Sequence, residues 1–360
     1  MKYLSKDVEV RMEQDESIRI DGVASTATKF GESFRGLFRW QQSFFKLVWK
    51  QAIVYYILYV SITLFYAYAL NSAGQANFDA VASYLARYTS SLPVVLLLGF
   101  FTSTALNRWF NTMQNMPGTH RPISLFVTSL KDDVPDGPAR VDRYIRYILL
   151  MWLLTFRIVC EPLRRRYPDL MTIQRAGFLR DHERLLLEKH KQQPGGKRTL
   201  PLVVYDWLNA ILRDTCQKGY FLVTNDYGRN VDAVQALKKG GGNIIKFASK
   251  NIPVALIQAV TIAIYYYGMV SILGHQTAEK NYLTSVMSGY FPLPYALPFF
   301  FYYAWLKVGR IATDPFGDDD DDINMLTIFD GHINGAMRLR DTYGLKTATL
   351  FNEDSPSLLS

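Results

Sequence analysis

The residues of this sequence best suited to chemistry are carboxylates. Asp314-Pro315-Phe316-Gly317 is followed at once by Asp318, Asp319, Asp320, Asp321 and Asp322. A run of this kind also serves as a solvated acidic loop. Two carboxylates about 5 Å apart, however, repel by roughly 3 kcal/mol at an effective dielectric near 20, so a cluster held beside a membrane surface calls for a cation. Oxygen-only ligands, with a Pro-Phe-Gly turn to aim backbone carbonyls, suit Ca²⁺, which takes about six to eight oxygens in flexible geometry. The stretch is not an EF-hand, because that loop's glycine and terminal glutamate are missing.

A second pattern is apolar. Leu92, Leu96 and Phe100 recur every four residues and fall on one helical stripe. Such a stripe is ordinary lipid-facing or helix-packing surface, or, repeated by several subunits around an axis, a constriction that gates ions by dewetting. Pro93 sits in the early turns, and Gly99 allows close approach or bending. Enzyme motifs fail by contrast. His182-Glu183 opens a possible H-E-x-x-H, but Leu186 stands where the second histidine is needed, and Gly240, Gly241 and Gly242 have no Lys-Ser/Thr pair after them. Cys160 and Cys216 are too few and too far apart for a disulfide framework or a C-x-x-C site. Arg164, Arg165 and Arg166 read as a solvated or anion-attracting surface.

Positioning such groups falls to long apolar elements. Of 360 residues, 49% are hydrophobic, 14% aromatic and 20% charged, with a formal charge of +8 and a mean hydropathy of −0.01. The charged share is below the ~25% of soluble proteins, and the apolar residues gather in charge-free runs. A bilayer core of about 30 Å needs roughly 20 apolar helical residues. Four stretches qualify: 52–70, 88–106, 252–273 and 287–306. A fifth, 144–160, contains Arg146 and Arg157, either of which costs ~2.5–3.5 kcal/mol at the bilayer centre, and is read as a core helix of a cytosolic body.

Basic residues flank the spans on one side. Arg35, Arg39, Lys46 and Lys50 precede the first, Arg108 follows the second, Lys238, Lys239, Lys246 and Lys250 precede the third, and Lys307 and Arg310 follow the fourth. Residues 71–86 have no Lys or Arg, and 274–286 have only Lys280. The positive-inside rule then puts both termini and residues 108–250 in the cytosol. The positive charge is thus topological and requires no nucleic-acid partner. The resulting division is a cytosolic segment 1–43, two spans within 44–110, a cytosolic helical region 111–250, two spans within 251–308, and an acidic loop and tail, 309–360. In the helical region, 140–157 and 173–190 have apolar residues at helical spacing, prolines including Pro162, Pro168 and Pro201 act as punctuation, and 239–243 reads as a flexible break.

These motifs together resemble the bestrophins, a family of pentameric Ca²⁺-activated anion channels. The likeness rests on Arg39-Trp40 with Ser43 and Lys46, on Leu92-Pro93 through Gly99-Phe100 to Arg108-Trp109 and Asn115-Met116-Pro117, on Trp305-Leu306-Lys307-Val308, and on the acidic turn, and it covers residues from about 23 to 340. It implies an all-α membrane protein with four membrane helices per subunit, assembled as a homopentamer around a chloride-conducting pore in the plasma membrane. It further implies a pore neck of Leu92, Leu96 and Phe100. It also implies a Ca²⁺ clasp with side-chain ligands Asp319 and Asp322 and backbone carbonyls of Ile311, Asp314 and Thr26, and a cytosolic aperture near Phe221. The chain departs from the family's pattern at Gln42, where a glycine is usual, at Leu96, often Phe, at Asp314, often Asn, and at Gly118-Thr119-His120, which replaces a Trp-Pro-Asp sequence. Two other functions remain open beside this one: an anion carrier working by alternating access, which predicts internal repeats and paired broken helices, and a Ca²⁺-binding membrane scaffold that conducts nothing.

Overall fold

The computed structural model describes residues 44–88, 93–249, 252–274, 293–317 and 323–343. Thr26, Arg39, Trp40, Ser43, Leu92, Asp319, Asp322 and the other carboxylates of 318–322 lie outside them. The regular elements among the described residues are helices, joined at one point by an isolated bridge between Leu130 and Phe221.

The first apolar run forms α1 (Phe44–Leu64), which continues into a π-helical turn, Phe65–Ala69. Ile53, Val54, Ile57 and Leu58 are exposed on it, and a helix that is apolar all round with little of it covered suits lipid rather than water. The charge-poor stretch after it folds as α2 (Ser72–Tyr88), and the second run becomes α3 (Val94–Gln114), starting after Pro93. Next come the helices of a separate body: α4 (His120–Ser129), α5 (Gly137–Phe156), α6 (Glu161–Arg166), α7 (Leu170–Arg175), α8 (Asp181–Lys191), α9 (Gly196–Gln217) and α10 (Asp226–Ser249). The chain returns with α11 (Val254–Gly274) and α12 (Leu293–Thr313), and α13 (Met325–Asp341) lies back on the body.

Two apolar cores result. One joins α1, α3, α11 and α12 through Tyr55, Leu98, Phe101, Ile264, Phe299 and Leu306. Within it Gln51 donates to the Tyr303 hydroxyl at 2.9 Å, and the hydroxyls of Tyr55 and Ser271 lie 3.1 Å apart. Phe44–Ala69 and Val254–Gly274 are long and apolar enough to cross a bilayer. α3 and α12 have the same 21-residue length as α1 and α11 but contain Arg108, and Lys307 with Arg310, toward their C-terminal ends.

The other core is built around α5, buried continuously from Tyr144 to Phe156. Arg146 marks this helix as one for a body with internal polar partners. Its guanidinium grips Glu183 with both nitrogens, one contact at 2.8 Å, and Glu183 also accepts from the Tyr147 hydroxyl at 2.6 Å and the Arg180 N–H at 2.9 Å. Burial alone would push the Glu183 carboxyl up, but these hydrogen bonds outweigh it and hold the group at about 2. The glutamate of the incomplete H-E-x-x-H is therefore a structural anion.

The body differs from the sequence reading in three places. The expected helix over 173–190 is split, because Gly177 takes a left-handed φ of 85° and the Phe178 N–H returns to the Ile173 carbonyl at 3.2 Å, ending α7. Pro201 lies inside α9 rather than ending it. In the second turn its missing N–H removes only a bond to the carbonyl of the exposed Lys197. Residues 239–243 are continuous helix, not a break. A Cβ on Gly240 would meet Pro117 Cβ at 2.8 Å, and one on Gly241 would meet Thr155 Cγ2 at 2.8 Å. These glycines serve close approach.

Gly242 faces open space, which sets up a direct comparison. Gly242→Ala should leave stability unchanged or raise it by up to ~1 kcal/mol through helix propensity, whereas overpacking at Gly240→Ala and Gly241→Ala should cost ~1–3 kcal/mol. Thermal unfolding of the three variants in detergent checks this order, and equal midpoints would reject it.

Candidate functional site

α3 has two distinct faces. Leu98, Phe101 and Ala105 are fully buried, and the helix lies along α12. Gly309 permits the approach, since a Cβ there would sit 2.6 Å from the Phe101 ring. This seating turns Leu96 and Phe100 outward, leaving them 56% and 64% exposed. Ser103, Asn107 and Asn111 continue the exposed stripe, so it passes from apolar to polar along the helix. Gly99, between the two outward residues, has nothing within 4 Å of its Cβ position and makes no close approach inside this chain.

The acidic turn begins where α12 ends. The Asp314 N–H donates to the Ile311 carbonyl at 3.1 Å, and the Gly317 N–H donates to the Asp314 carbonyl at 3.3 Å. A carbonyl oxygen has two lone pairs, so each keeps an acceptor position for another partner. Phe316, only 3% exposed, anchors the turn against Phe156, and beyond 318–322 the Ile323 N–H returns to the Pro315 carbonyl at 3.1 Å. The carboxylate segment is thus closed at both ends by described backbone. With an exposed Asp314 carboxylate beside it, the donor set is all oxygen, and that chemistry fits Ca²⁺. Among the described residues no three metal-binding side chains cluster.

A cavity of about 540 Å³ lies beside the turn, between the two cores. Arg108, Thr112, Arg198, Phe247, Asp314 and Phe316 are among its walls. Arg108 donates to the Phe247 carbonyl, tying the C-terminal part of α3 to α10. Phe221 has a different setting from either group. Its side chain is 7% exposed and edge-on to Phe126, at the turn where Leu222 and Val223 are exposed.

Sequence reasoning missed Trp152. Its indole N–H donates to the Pro117 carbonyl at 3.0 Å, joining α5 to the segment that leaves α3. The available signal was a tryptophan inside an otherwise apolar helix, since a buried indole N–H needs an acceptor.

A family model described as bestrophin, RFP-TM, chloride channel matches residues 21–342. Human bestrophin-3 is 28% identical over 333 residues, covering 89% of this chain and 49% of the relative. Bestrophin homolog 1 of Caenorhabditis elegans is 28% identical over 314 residues, covering 85% and 68%. This chain spans about half the length of the human relative. A solved bacterial bestrophin homolog from Klebsiella pneumoniae superposes with a TM-score of 0.59 at 13% identity, over 81% of this chain and 98% of that one. The shared fold is all-helical.

The buried anchor of the acidic turn makes a measurable claim. Phe316→Ala should destabilise the protein by ~3–5 kcal/mol and expose the adjoining loop to limited proteolysis. Wild-type stability together with wild-type cleavage would show that Phe316 anchors nothing.

Proposed function

This chain belongs to the bestrophin family, a family of channels rather than enzymes, and we propose on that premise that it is a Ca²⁺-activated anion channel conducting chloride. In this reading it is a homopentamer in the plasma membrane, with four membrane helices per subunit and both termini in the cytosol. The observation that carries the reading is the outward stripe of α3: Leu96 and Phe100 are large apolar side chains uncovered by their own chain, on a helix whose opposite face is fully packed. Around an axis, rings of Leu92, Leu96 and Phe100 form an apolar neck that empties of water when narrow and conducts when wide. Ser103, Asn107 and Asn111 then line a wetter stretch beyond it.

The acidic loop is the control site of this proposal. Asp319 and Asp322 supply carboxylate ligands, while Ile311, Asp314 and Thr26 supply carbonyls. Bound Ca²⁺ neutralises the loop and draws its oxygens together. Opening follows only if these ligands are held differently in the narrow and wide states. The link available within the chain is short, since α12 carries the turn at its C-terminal end and holds α3 along its length. The cytosolic aperture is assigned to the turn at Phe221.

Anion current through purified protein in planar bilayers tests the reading as free Ca²⁺ is varied. Current should rise with Ca²⁺. Asp319→Ala/Asp322→Ala should raise the Ca²⁺ needed by about tenfold or more, since each lost charged ligand removes ~1.5–3 kcal/mol. Absent current, or current indifferent to Ca²⁺ in both proteins, rejects it. In the same assay Leu92→Ala/Leu96→Ala/Phe100→Ala should leak at low Ca²⁺, and intact Ca²⁺ control in that variant would move the gate away from α3.

A further inference from the structure

A chain of aromatic contacts runs from the acidic turn to the segment leaving α3. Phe316 meets Phe156 at 6.2 Å, Phe156 meets Trp152 at 4.1 Å, Trp152 meets His332 edge-on at 5.1 Å, and His332 meets His120 edge-on at 5.4 Å. Trp152 also holds the Pro117 carbonyl, and His120 opens α4 three residues later. α13 packs against α4 with a glycine at 335, where a Cβ would lie 2.1 Å from Nε2 of the exposed His120.

His332 Nε2 is buried and has no hydrogen-bond partner among the described residues. A neutral imidazole tolerates this as an idle acceptor. An imidazolium would present a charged N–H there with nothing to receive it. Carboxylates of the packed helices are already paired: Asp330 of α13 with Arg166 of α6, and Asp142 of α5 with Arg340 of α13. The titratable group that α4 turns toward His332 is His120, and α5 contributes the uncharged Trp152.

We propose that the joint of His120, His332 and Trp152 is a proton-sensitive coupling between the acidic loop and the neck helix, and that protonation of His332 releases α13 from α4 and weakens Ca²⁺ control. The proposal rests on the clasp and neck reading above. Burial first, and the neighbouring His120 second, hold His332 down at about 4, below its ordinary 6.5. A depressed folded value means that packing favours the neutral form. The joint's contribution is therefore complete above about pH 6.5 and is lost as pH falls through about 4.

Two readouts on the full-length protein test this. In bilayers, lowering the pH on the loop side from 7.5 to 5.5 should raise the Ca²⁺ needed for half-maximal current, by up to about tenfold, the factor by which a shift from 6.5 to 4 disfavours the packed joint at that pH. His332→Phe keeps a ring against Trp152 and binds no proton, so its Ca²⁺ requirement should not move, and His332→Asn serves as the second non-titrating variant if the first fails to fold. In thermal unfolding without Ca²⁺, acid should lower the wild-type midpoint more than that of either variant. An identical acid response in wild type and variants in both assays overturns the proposal. Wild-type current that ignores Ca²⁺ at pH 7.5 overturns the clasp reading and the coupling with it, and a His332-dependent acid shift in unfolding then shows that the joint exists without that role.

Discussion

The contact of Phe101 with Gly309 fixes which face of α3 is buried, and with it which face is left outward. It seats α3 against α12 at a distance that no larger residue at 309 would allow. Once Phe101 and Leu98 are committed inward, helical geometry leaves Leu96 and Phe100 on the far side. The same helix pair joins the acidic turn, where α12 ends, to the outward stripe that α3 carries. A shift of the turn that moves α12 reaches α3 through a packed contact rather than through a loop.

Polar residues decided what could be read in advance. Arg146 and Arg157 separated α5 from the membrane runs, and α5 indeed lies at the centre of the second core with Glu183 answering Arg146. The turn after α12 was visible in Pro315-Phe316-Gly317, and the Gly317 N–H does close it on the Asp314 carbonyl. Glycine was the least legible residue. Gly177 ends a helix through its φ, Gly240 and Gly241 permit contact with Pro117 and Thr155, and Gly99 does neither. A sequence records the missing side chain but not which neighbour takes its place. α2 went unread for a related reason, since its partner α11 lies far away in the chain and its own composition is only weakly apolar. Trp152 and Pro117 likewise are 35 residues apart and meet only in the folded chain.

The region between the cores is where the two halves are coupled. Arg108 reaches from α3 to the Phe247 carbonyl, Trp152 reaches to Pro117, and Gly240 sits under Pro117. All three contacts act on the C-terminal part of α3 or the few residues after it. The end of α3 is thus held by the second body, while its start follows Pro93 at the opposite end of the helix.

The bond from the Ile323 N–H to the Pro315 carbonyl has an entropic consequence. It makes the acidic segment a small ring that folding has already closed. Closing a flexible loop costs free energy that grows with the logarithm of its length, and here that cost is met before any ion arrives. Like charges within the ring repel one another, and salt screens that repulsion. Ionic strength is therefore a lever on the free energy of this loop.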